Sequence, residues 1–415
     1  MPGFEMTRAL TLLCWLVFSI AIVAAQQPPD PSQRSSGDAI RFERLVLSDL
    51  YYCDGVSSGD IDGDGDLDVV AGPFWYEGPD FQVAHAFYEP IALPPAESPS
   101  NSMFSFVADF SGDGRQDILV LGRVHKHEAI WYENPGKSNA PWNKHVAFHR
   151  VKGESPTLVD LDGDGVPQVI CHWDGCWGSI QPDPSHPTEP WRFIPIGEPE
   201  DWPQFYHGQG VGDVNNDGKL DLLLNDGWYE QPRDASRTSP WKFHRGLFSM
   251  GRGGAQMFAH DVDGDGDQDV LSAVDAHGWG LAWYEQSGTK PDTTFHEHLI
   301  MGDRSAIDRY GVAFTQPHAL AAADINGDGL PDLITGKRRW AHGPDGDIDP
   351  GAPPVVYWFE LQREPGGMVR YVPHPIDDAS GVGVQILATD LNQDGRVDVA
   401  TASKLGTFVF LQTDQ

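Results

Sequence analysis

Asp60-Ile61-Asp62-Gly63-Asp64-Gly65-Asp66-Leu67-Asp68 puts oxygen-bearing side chains at positions 1, 3, 5 and 9, with a glycine at position 6 for a sharp turn. That spacing suits a hard cation taking oxygen ligands at about 2.3–2.6 Å, calcium before any other metal. The ligands expected here are Asp60, Asp62, Asp64 and Asp68. The pattern returns as Asp109, Ser111, Asp113 and Asp117; as Asp160, Asp162 and Asp164, with Gln168 in the last place; and as Asp213, Asn215, Asp217 and Asp221. It returns again as Asp261, Asp263, Asp265 and Asp269; Asp324, Asn326, Asp328 and Asp332; and Asp390, Asn392, Asp394 and Asp398.

Recurrence every ~50–65 residues marks an array of supersecondary units. An EF-hand is excluded, because Ala71 stands at position 12 where a bidentate glutamate is required and the flanks are β-rich. The repeats resemble the FG-GAP/VCBS family, whose calcium loops decorate integrin-α-type β-propellers. The resemblance covers nearly all the chain after its first forty residues. It implies a fold and several calcium ions but no particular activity, since that family serves adhesion, binding and catalysis.

Each unit reads as four strands. A small-residue strand precedes the loop and an apolar strand follows it, as in Asp117-Ile118-Leu119-Val120-Leu121. An aromatic strand comes next: Trp75-Tyr76-Glu77, Trp131-Tyr132-Glu133, Trp228-Tyr229-Glu230, Trp283-Tyr284-Glu285 or Trp358-Phe359-Glu360. A fourth closes the unit, as in Trp241-Lys242-Phe243-His244. Four strands in about fifty residues make a propeller blade. The last unit stops after Phe408-Val409-Phe410-Leu411, one strand short, while Ile40–Leu47 precedes the first unit with nothing of its own to pair with. The expectation is therefore an all-β, seven-bladed β-propeller of four-stranded blades over residues 39–415, its last blade closed by the N-terminal strand.

Residues 1–25 read as a signal peptide: Arg8, an apolar run from Ala9 to Val23, and small residues before Gln26. An uncleaved anchor is the alternative reading of that run. Residues 26–38 are a polar, proline-rich linker. No other stretch is long enough to span a membrane, so a monomer that is secreted, either periplasmic or extracellular, is expected. The formal charge of −33 repels nucleic acid and anionic membranes, even after seven divalent ions offset about 14 charges. Three cysteines follow the leader: Cys53, Cys171 and Cys176. The last two are expected to form a disulfide across His172–Gly175, with zinc as the alternative.

Repetition separates scaffold from site. The glutamates of the aromatic strands and the fourth-strand histidines His145, His244 and His298 recur, and read as scaffold. Unrepeated polar residues fall on the links between second and third strands and on the entries to first strands. Strand direction sends both kinds of segment to the face opposite the calcium loops. The links offer His125, His127, His172, Asp174, His277, Trp279, Lys337, Arg338, Arg339, Trp340 and His342. The entries offer Asp54, Glu154, Trp202, Tyr206, His207, Tyr310 and His318. Counting back six residues from each loop gives Asp54, Met103, Glu154, His207, Ala255, His318 and Val384 as the rim of the channel. Two histidines facing two carboxylates there suit zinc, or else a hydrated polar rim.

Two functions fit. In the first, the long-loop face binds carbohydrate or an extracellular protein through Trp202, His277, Lys337, Arg338, Trp340 and His342. In the second it is a carbohydrate-active lyase or dehydratase, with His207, His318 or Tyr206 as base and a metal or Lys337 or Arg338 as electrophile. The aromatic signatures are loosely similar to the propeller of aldos-2-ulose dehydratase, and propeller polysaccharide lyases offer a second analogy of fold. No phosphate loop occurs. Deleting residues through Leu47 is expected to open the edge of the last unit and cause aggregation. A truncated protein that stayed monomeric with the parent's melting temperature would refute the closure.

Overall fold

Alternating apolar residues between glycine-rich turns give strands almost throughout. Among the described residues the computed structural model is all-β apart from a 3-10 turn (Arg304–Ala306) and one short helix, α1 (Ile307–Tyr310). It describes residues 40–96, 99–122, 128–136, 141–233, 240–249, 253–289 and 292–413. All of these belong to the compact unit Gly37–Gln415. The signal and linker segments, with His125 and His127, lie outside the described residues. No helix among the described residues is long and apolar enough to cross a membrane.

After β1 (Arg41–Ser48), the strands fall into antiparallel meanders, each named here by the first aspartate of its loop. The Asp60 unit holds β2 (Ser57–Gly59), β3 (Asp68–Ala71), β4 (Phe74–Tyr76) and β5 (Ala84–Ala86). The Asp109 unit holds β6 (Phe104–Ala108), β7 (Asp117–Leu121), β8 (Ala129–Glu133) and β9 (Asn143–Phe148). The Asp160 unit holds β10 (Lys152–Val159), β11 (Gln168–Trp173), β12 (Cys176–Gln181) and β13 (Arg192–Pro195). The Asp213 unit holds β14 (Gln209–Gly212), β15 (Asp221–Leu224), β16 (Gly227–Glu230) and β17 (Lys242–Arg245). The Asp261 unit holds β18 (Gln256–His260), β19 (Asp269–Ala273), β20 (Leu281–Thr289) and β21 (Asp292–Met301). The Asp324 unit holds β22 (Leu320–Ala323), β23 (Asp332–Gly336), β24 (Val356–Glu364) and β25 (Met368–Asp377). The Asp390 unit holds β26 (Ile386–Thr389), β27 (Asp398–Ser403) and β28 (Gly406–Thr413).

These strands form five four-stranded sheets and one of eight strands in a propeller arrangement. The N-terminal strand β1 pairs antiparallel with β28 from Arg41↔Thr413 onward, and so supplies the fourth strand of the Asp390 unit. The eight-stranded sheet departs from the expected separate blades. There β14 and β18 pair in parallel through Gln209↔Gln256 and Gly210↔Met257. Gly210 is the cause: a Cβ at that position would collide with the Met257 carbonyl, so only glycine lets the two first strands come within ladder distance.

Hydrophobic clusters fill the space between consecutive units. Val70, Trp75, Ile118 and Val120 join the Asp60 and Asp109 units; Trp131, Leu119, Val169 and Ile180 join the next pair. The series continues around the array to Val69, Tyr76, Ala400 and Val409, which join the Asp390 unit to the Asp60 unit. The repeated histidines and glutamates bind one another on the outer strands. His85, His145, His244, His298 and His374 stack on Trp75, Trp131, Trp228, Trp283 and Trp358, with centroids 4.1–4.4 Å apart. Each also lies 2.6–3.1 Å from its unit's glutamate.

The ninth residue of each loop has a role that the calcium pattern does not suggest. Asp68, Asp117, Asp221, Asp269, Asp332 and Asp398 are buried. One oxygen of each accepts from the backbone N–H of the loop's second residue, as Asp269 does from Val262 at 2.8 Å. The other accepts from an N–H just beyond or within the third strand, as Asp269 does from Gln286 at 2.8 Å. The carboxylate thus ties loop to blade. In the Asp160 loop, Gln168 Oε1 keeps the first bond, from Leu161 N at 2.7 Å, while its amide turns to the Val166 carbonyl at 2.6 Å.

The disulfide expectation is corrected. In the β11–β12 hairpin Cys171 faces Gly178 and Cys176 faces Trp173. The two thiols are free. They sit on a diagonal of the ladder, where Cα atoms are about 7–8 Å apart, too far for an unstrained bridge.

Burial pushes the ninth-position carboxyls up, to about 6 in Asp68, Asp117 and Asp398 and about 7 in Asp221, Asp269 and Asp332. The folded state therefore binds protons more tightly than the unfolded chain, whose aspartates titrate near 3.9. In chelating buffer, stability should rise as pH falls from about 7 towards 4. A thermal melt series in chelator checks this, and a melting temperature that fell steadily from pH 7.5 to 5.5 would contradict it.

Candidate metal centre and cavity

The entries to first strands and the second-to-third links converge on a cavity of about 800 Å³. Its lining includes Glu154, Trp202, Tyr206, His207, His277, Arg338, His342 and Lys404. None of the loop aspartates takes part in it. Local structure holds each group. Glu154 lies in β10, and its N–H donates to the Tyr206 carbonyl at 2.8 Å. His207 precedes Gly208, whose φ of +80° turns the chain into β14. The Asn225 amide donates to the His207 carbonyl. His277 sits in a turn in which its N–H donates to Asp275 Oδ1 at 2.9 Å. The carbonyl of Gly278, next in that turn, accepts from Gln316 N at 2.8 Å, and Gln316 O accepts from His318 N at 2.8 Å.

Four ligand-type atoms meet there. One atom each from Glu154, His207, His277 and His318 lies within 4.8 Å of all the others. Glu154 Oε2 is 2.7 Å from His207 Nε2 and 3.4 Å from His318 Nε2. His207 Nε2 is 2.9 Å from His277 Nε2. Protons alone do not satisfy this arrangement. A neutral imidazole nitrogen carries one proton or one lone pair, so His207 Nε2 cannot donate to Glu154 and to His277 together. A cation at the meeting point would accept lone pairs from all four.

The electrostatics agree with ligation. Burial, helped by the Arg338 charge, pushes the His318 imidazole down to about 4. Burial and its two histidine neighbours push His277 lower still. Both are thus neutral near pH 7, the form that binds metal. Burial alone would raise the Glu154 carboxyl, but His207 and His318 outweigh it and hold it well below the usual range. His277 also stacks on His342, whose Nδ1 is 3.0 Å from Asp347 Oδ1.

The sequence-derived rim is only partly in this cluster. Asp54 is not a free ligand. It accepts from Tyr51 Oη at 2.6 Å, Ser100 N at 3.1 Å, Ser100 Oγ at 2.8 Å and an Arg338 guanidinium nitrogen at 3.0 Å. His277, expected as a ligand-binding residue, joins the candidate metal ligands instead. Tyr206 packs edge-on against Trp177 and Trp202, and burial pushes its phenol up. Lys337 faces a separate cavity of about 190 Å³ with Trp279, Arg304 and Asp349. Burial pushes its ammonium down to about 8. Trp340 is held within its loop, Nε1 donating to the Pro350 carbonyl at 3.0 Å. Lys404 was not among the expected residues. Its signal is a lone lysine in Ser403-Lys404-Leu405-Gly406, the second-to-third link of the Asp390 unit.

The loop aspartates form groups of their own. Ligand atoms of Asp60, Asp62 and Asp68, of Asp160, Asp162 and Asp164, and of Asp261, Asp263 and Asp265 cluster within 4.8 Å in each case.

Residues 109–171 and 261–335 match the FG-GAP-like repeat, so the chain carries repeats of that type. No curated protein matches the sequence. Among solved structures, the chain is similar to the V. cholerae biofilm matrix protein Bap1, at 14% identity and a TM-score of 0.33 over 85% of this chain, and spans 45% of that protein's length. It is similar to the exotype rhamnogalacturonan lyase YesX, at 12% identity and a TM-score of 0.43, covering 90% of this chain and 73% of that one. It is also similar to BBS1N, solved in complex with ARL6DN, at 11% identity and a TM-score of 0.46, covering 91% and 97%. Likenesses this distant carry nothing about function.

Arg338 and Asp54 are almost wholly buried, and removing one member of a buried ion pair strands the other. Asp54→Ala is expected to cost about 3–5 kcal/mol, measured by denaturant unfolding. A loss below about 1 kcal/mol would mean that water reaches Arg338.

Proposed function

We propose that this FG-GAP-repeat chain is a secreted, calcium-binding, seven-bladed β-propeller whose channel-mouth cavity is a metal-dependent catalytic site for carbohydrate, of the lyase or dehydratase class. The seven-blade count rests on reading the eight-stranded sheet as two blades. In its favour, that sheet is two complete meanders joined at only two residue pairs, and hydrophobic clusters join consecutive units round to the first. Calcium rests on the seven acidic loops and on the three tight aspartate groups.

The observation that carries the catalytic reading is the meeting of three imidazole nitrogens and one carboxylate oxygen at the cavity. Imidazole-rich sets select zinc and its first-row neighbours rather than calcium. Bound there, such an ion would stabilise an enolate oxygen formed on a substrate. We assign His342, paired with Asp347, as the base that takes a carbon-bound proton next to a carbonyl or carboxylate. The C–O bond one carbon further on then breaks, and the departing oxygen gains a proton from water. A purely binding role is the second reading, favoured by the aromatic side of the cavity, where Trp202, Phe205 and Tyr206 offer faces for a sugar ring.

Elemental analysis of protein purified without chelator is expected to find several calcium ions and one transition-metal ion per chain. His277→Ala should lose the transition metal and keep the calcium. Turnover of oxidised or acidic sugars, followed by the ultraviolet absorbance of an unsaturated product, should vanish in the same variant. On titration with chelator, the Asp160 loop is expected to release calcium first, since Gln168 replaces a charged ligand with an amide. A parent protein without transition metal, or a His277→Ala protein that retained it, would overturn the metal centre. Sugar binding without turnover would leave the second reading.

A further inference from the structure

Lys404 is 3% exposed, yet it lines the cavity. Burying an ammonium is costly unless an anion faces it. Among the described residues no carboxylate forms an ion pair with it, and its Nζ lies over the Tyr51 ring, 5.7 Å from the centroid. Arg338 stands on the same side. Its charge helps to depress the Lys404 ammonium, after burial itself, while Asp54 and Asp347 act in the opposite sense from beyond ion-pair distance. That guanidinium is engaged by Asp54 through one terminal nitrogen, and its buried Nε has no partner. Asp54 is spoken for, with Tyr51, Ser100 and Arg338 all donating to it. In a chain of formal charge −33, Lys404 and Arg338 are thus two buried cations whose nearby carboxylates are already engaged, Asp54 by Arg338 and Asp347 by His342.

The Asp160 and Asp213 units bring the opposite character to the cavity. Glu200, Asp201 and Asp226 line it beside Trp202 and Asn225. Acceptor-rich walls of that kind suit hydroxyl groups and repel an anion. The polarity of the cavity thus fixes which end of a ligand carries charge.

We infer that the cavity takes a carboxylate-bearing sugar of the uronate class, with the carboxylate against Lys404 and Arg338 and the neutral hydroxyls towards Trp202 and Asp226. The inference rests on the carbohydrate reading above and deepens it, but it does not need the metal. The ligand's carboxylate supplies the counter-ion that the fold withholds from Lys404. Arg338, already committed to Asp54, adds a second donor through its free Nε.

The test compares trigalacturonate, trimannuronate and triglucuronate with their methyl esters by titration calorimetry on the metal-loaded protein. At least one acid should bind ten-fold or more tighter than its ester. Lys404→Met should bring acid and ester to within about two-fold, and Lys404→Arg should restore most of the difference. Metal content and circular dichroism should be unchanged in both variants. Equal binding of acid and ester in the parent, binding of neither, or discrimination that survived Lys404→Met would each overturn the proposal. The parent comparison alone decides the matter should Lys404→Met fail to fold. A protein without transition metal that still preferred the acid would refute the metal centre and keep this inference; a metal-loaded protein indifferent to the carboxylate would do the reverse.

Discussion

The scaffold depends on one buried carboxylate in each of six units, the ninth residue of the acidic loop, which binds two backbone N–H groups at once. A loop rich in aspartate is strained by its own charge, and a four-stranded meander has loose ends. Asp269, holding Val262 N and Gln286 N, fastens one to the other. The residue whose N–H is held then often reaches further. Gln286 sends its side-chain amide to the carbonyl of Val214 in the preceding unit, at 3.1 Å. Asn134, Gln231 and Gln412 make the equivalent bond to Ile61, Leu161 and Ile325 at 2.6–2.9 Å. Arg363 makes it to Val262 at 2.9 Å. Each loop is thus fixed from within its own blade, and most are fixed again by the next. A hydrogen bond contributes only about 1 kcal/mol net, but these bonds recur at unit after unit and satisfy buried groups that would otherwise be costly.

With the loop face made uniform by repetition, the opposite face is free to vary. Glu154, His207, His277 and His318 come from four consecutive units, and each stands where its counterparts in other units carry something else. At the rim position shared by Glu154, His207 and His318, three other units carry the apolar, buried Met103, Ala255 and Val384, and the remaining one carries Asp54, which is engaged by Arg338. The repeat supplies geometry, and departures from it supply chemistry. The same contrast separates the two sorts of histidine. Those stacked on tryptophan and paired with glutamate are satisfied. His277 and His318, by contrast, retain buried nitrogens without a hydrogen-bond partner.

The scaffold was legible because repetition multiplies a weak signal. One acidic loop is ambiguous, but seven at regular spacing, each followed by an aromatic strand, define the meander. Even the link between units is written there, since Asn134, Gln231 and Gln286 all follow the Trp-Tyr-Glu triplet directly. Counting back six residues from each loop picked out Glu154, His207 and His318, because the backbone path from rim to loop has nearly constant length. His277 could not be placed by counting, since second-to-third links differ in length and shape from unit to unit. Asp54 was misjudged for another reason. Its partners Ser100 and Arg338 are 46 and 284 residues away in sequence, and no local pattern announces a contact made by closing a ring. Gly210 is a case between these. Its smallness was visible, but the fusion of two blades depends on Met257 lying opposite.

Ring closure is therefore what creates the cavity. The metal-type cluster spans the Asp160 to Asp324 units, Arg338 reaches from the Asp324 unit to Asp54 before the Asp60 unit, and Lys404 comes from the Asp390 unit beside β28. The strand that closes the last sheet, β1, pairs with β28 and leads within a few residues to Tyr51 and Asp54. Tyr51 binds Asp54 and lies under Lys404, so the closing segment also sets the charged end of the cavity. A chain that failed to close would lose more than an edge. Arg338 would lose its counter-ion and Lys404 its aromatic neighbour. Stability and the electrostatics of the cavity meet at the same short stretch, Arg41 to Asp54, because closing the array joins the most distant parts of the sequence.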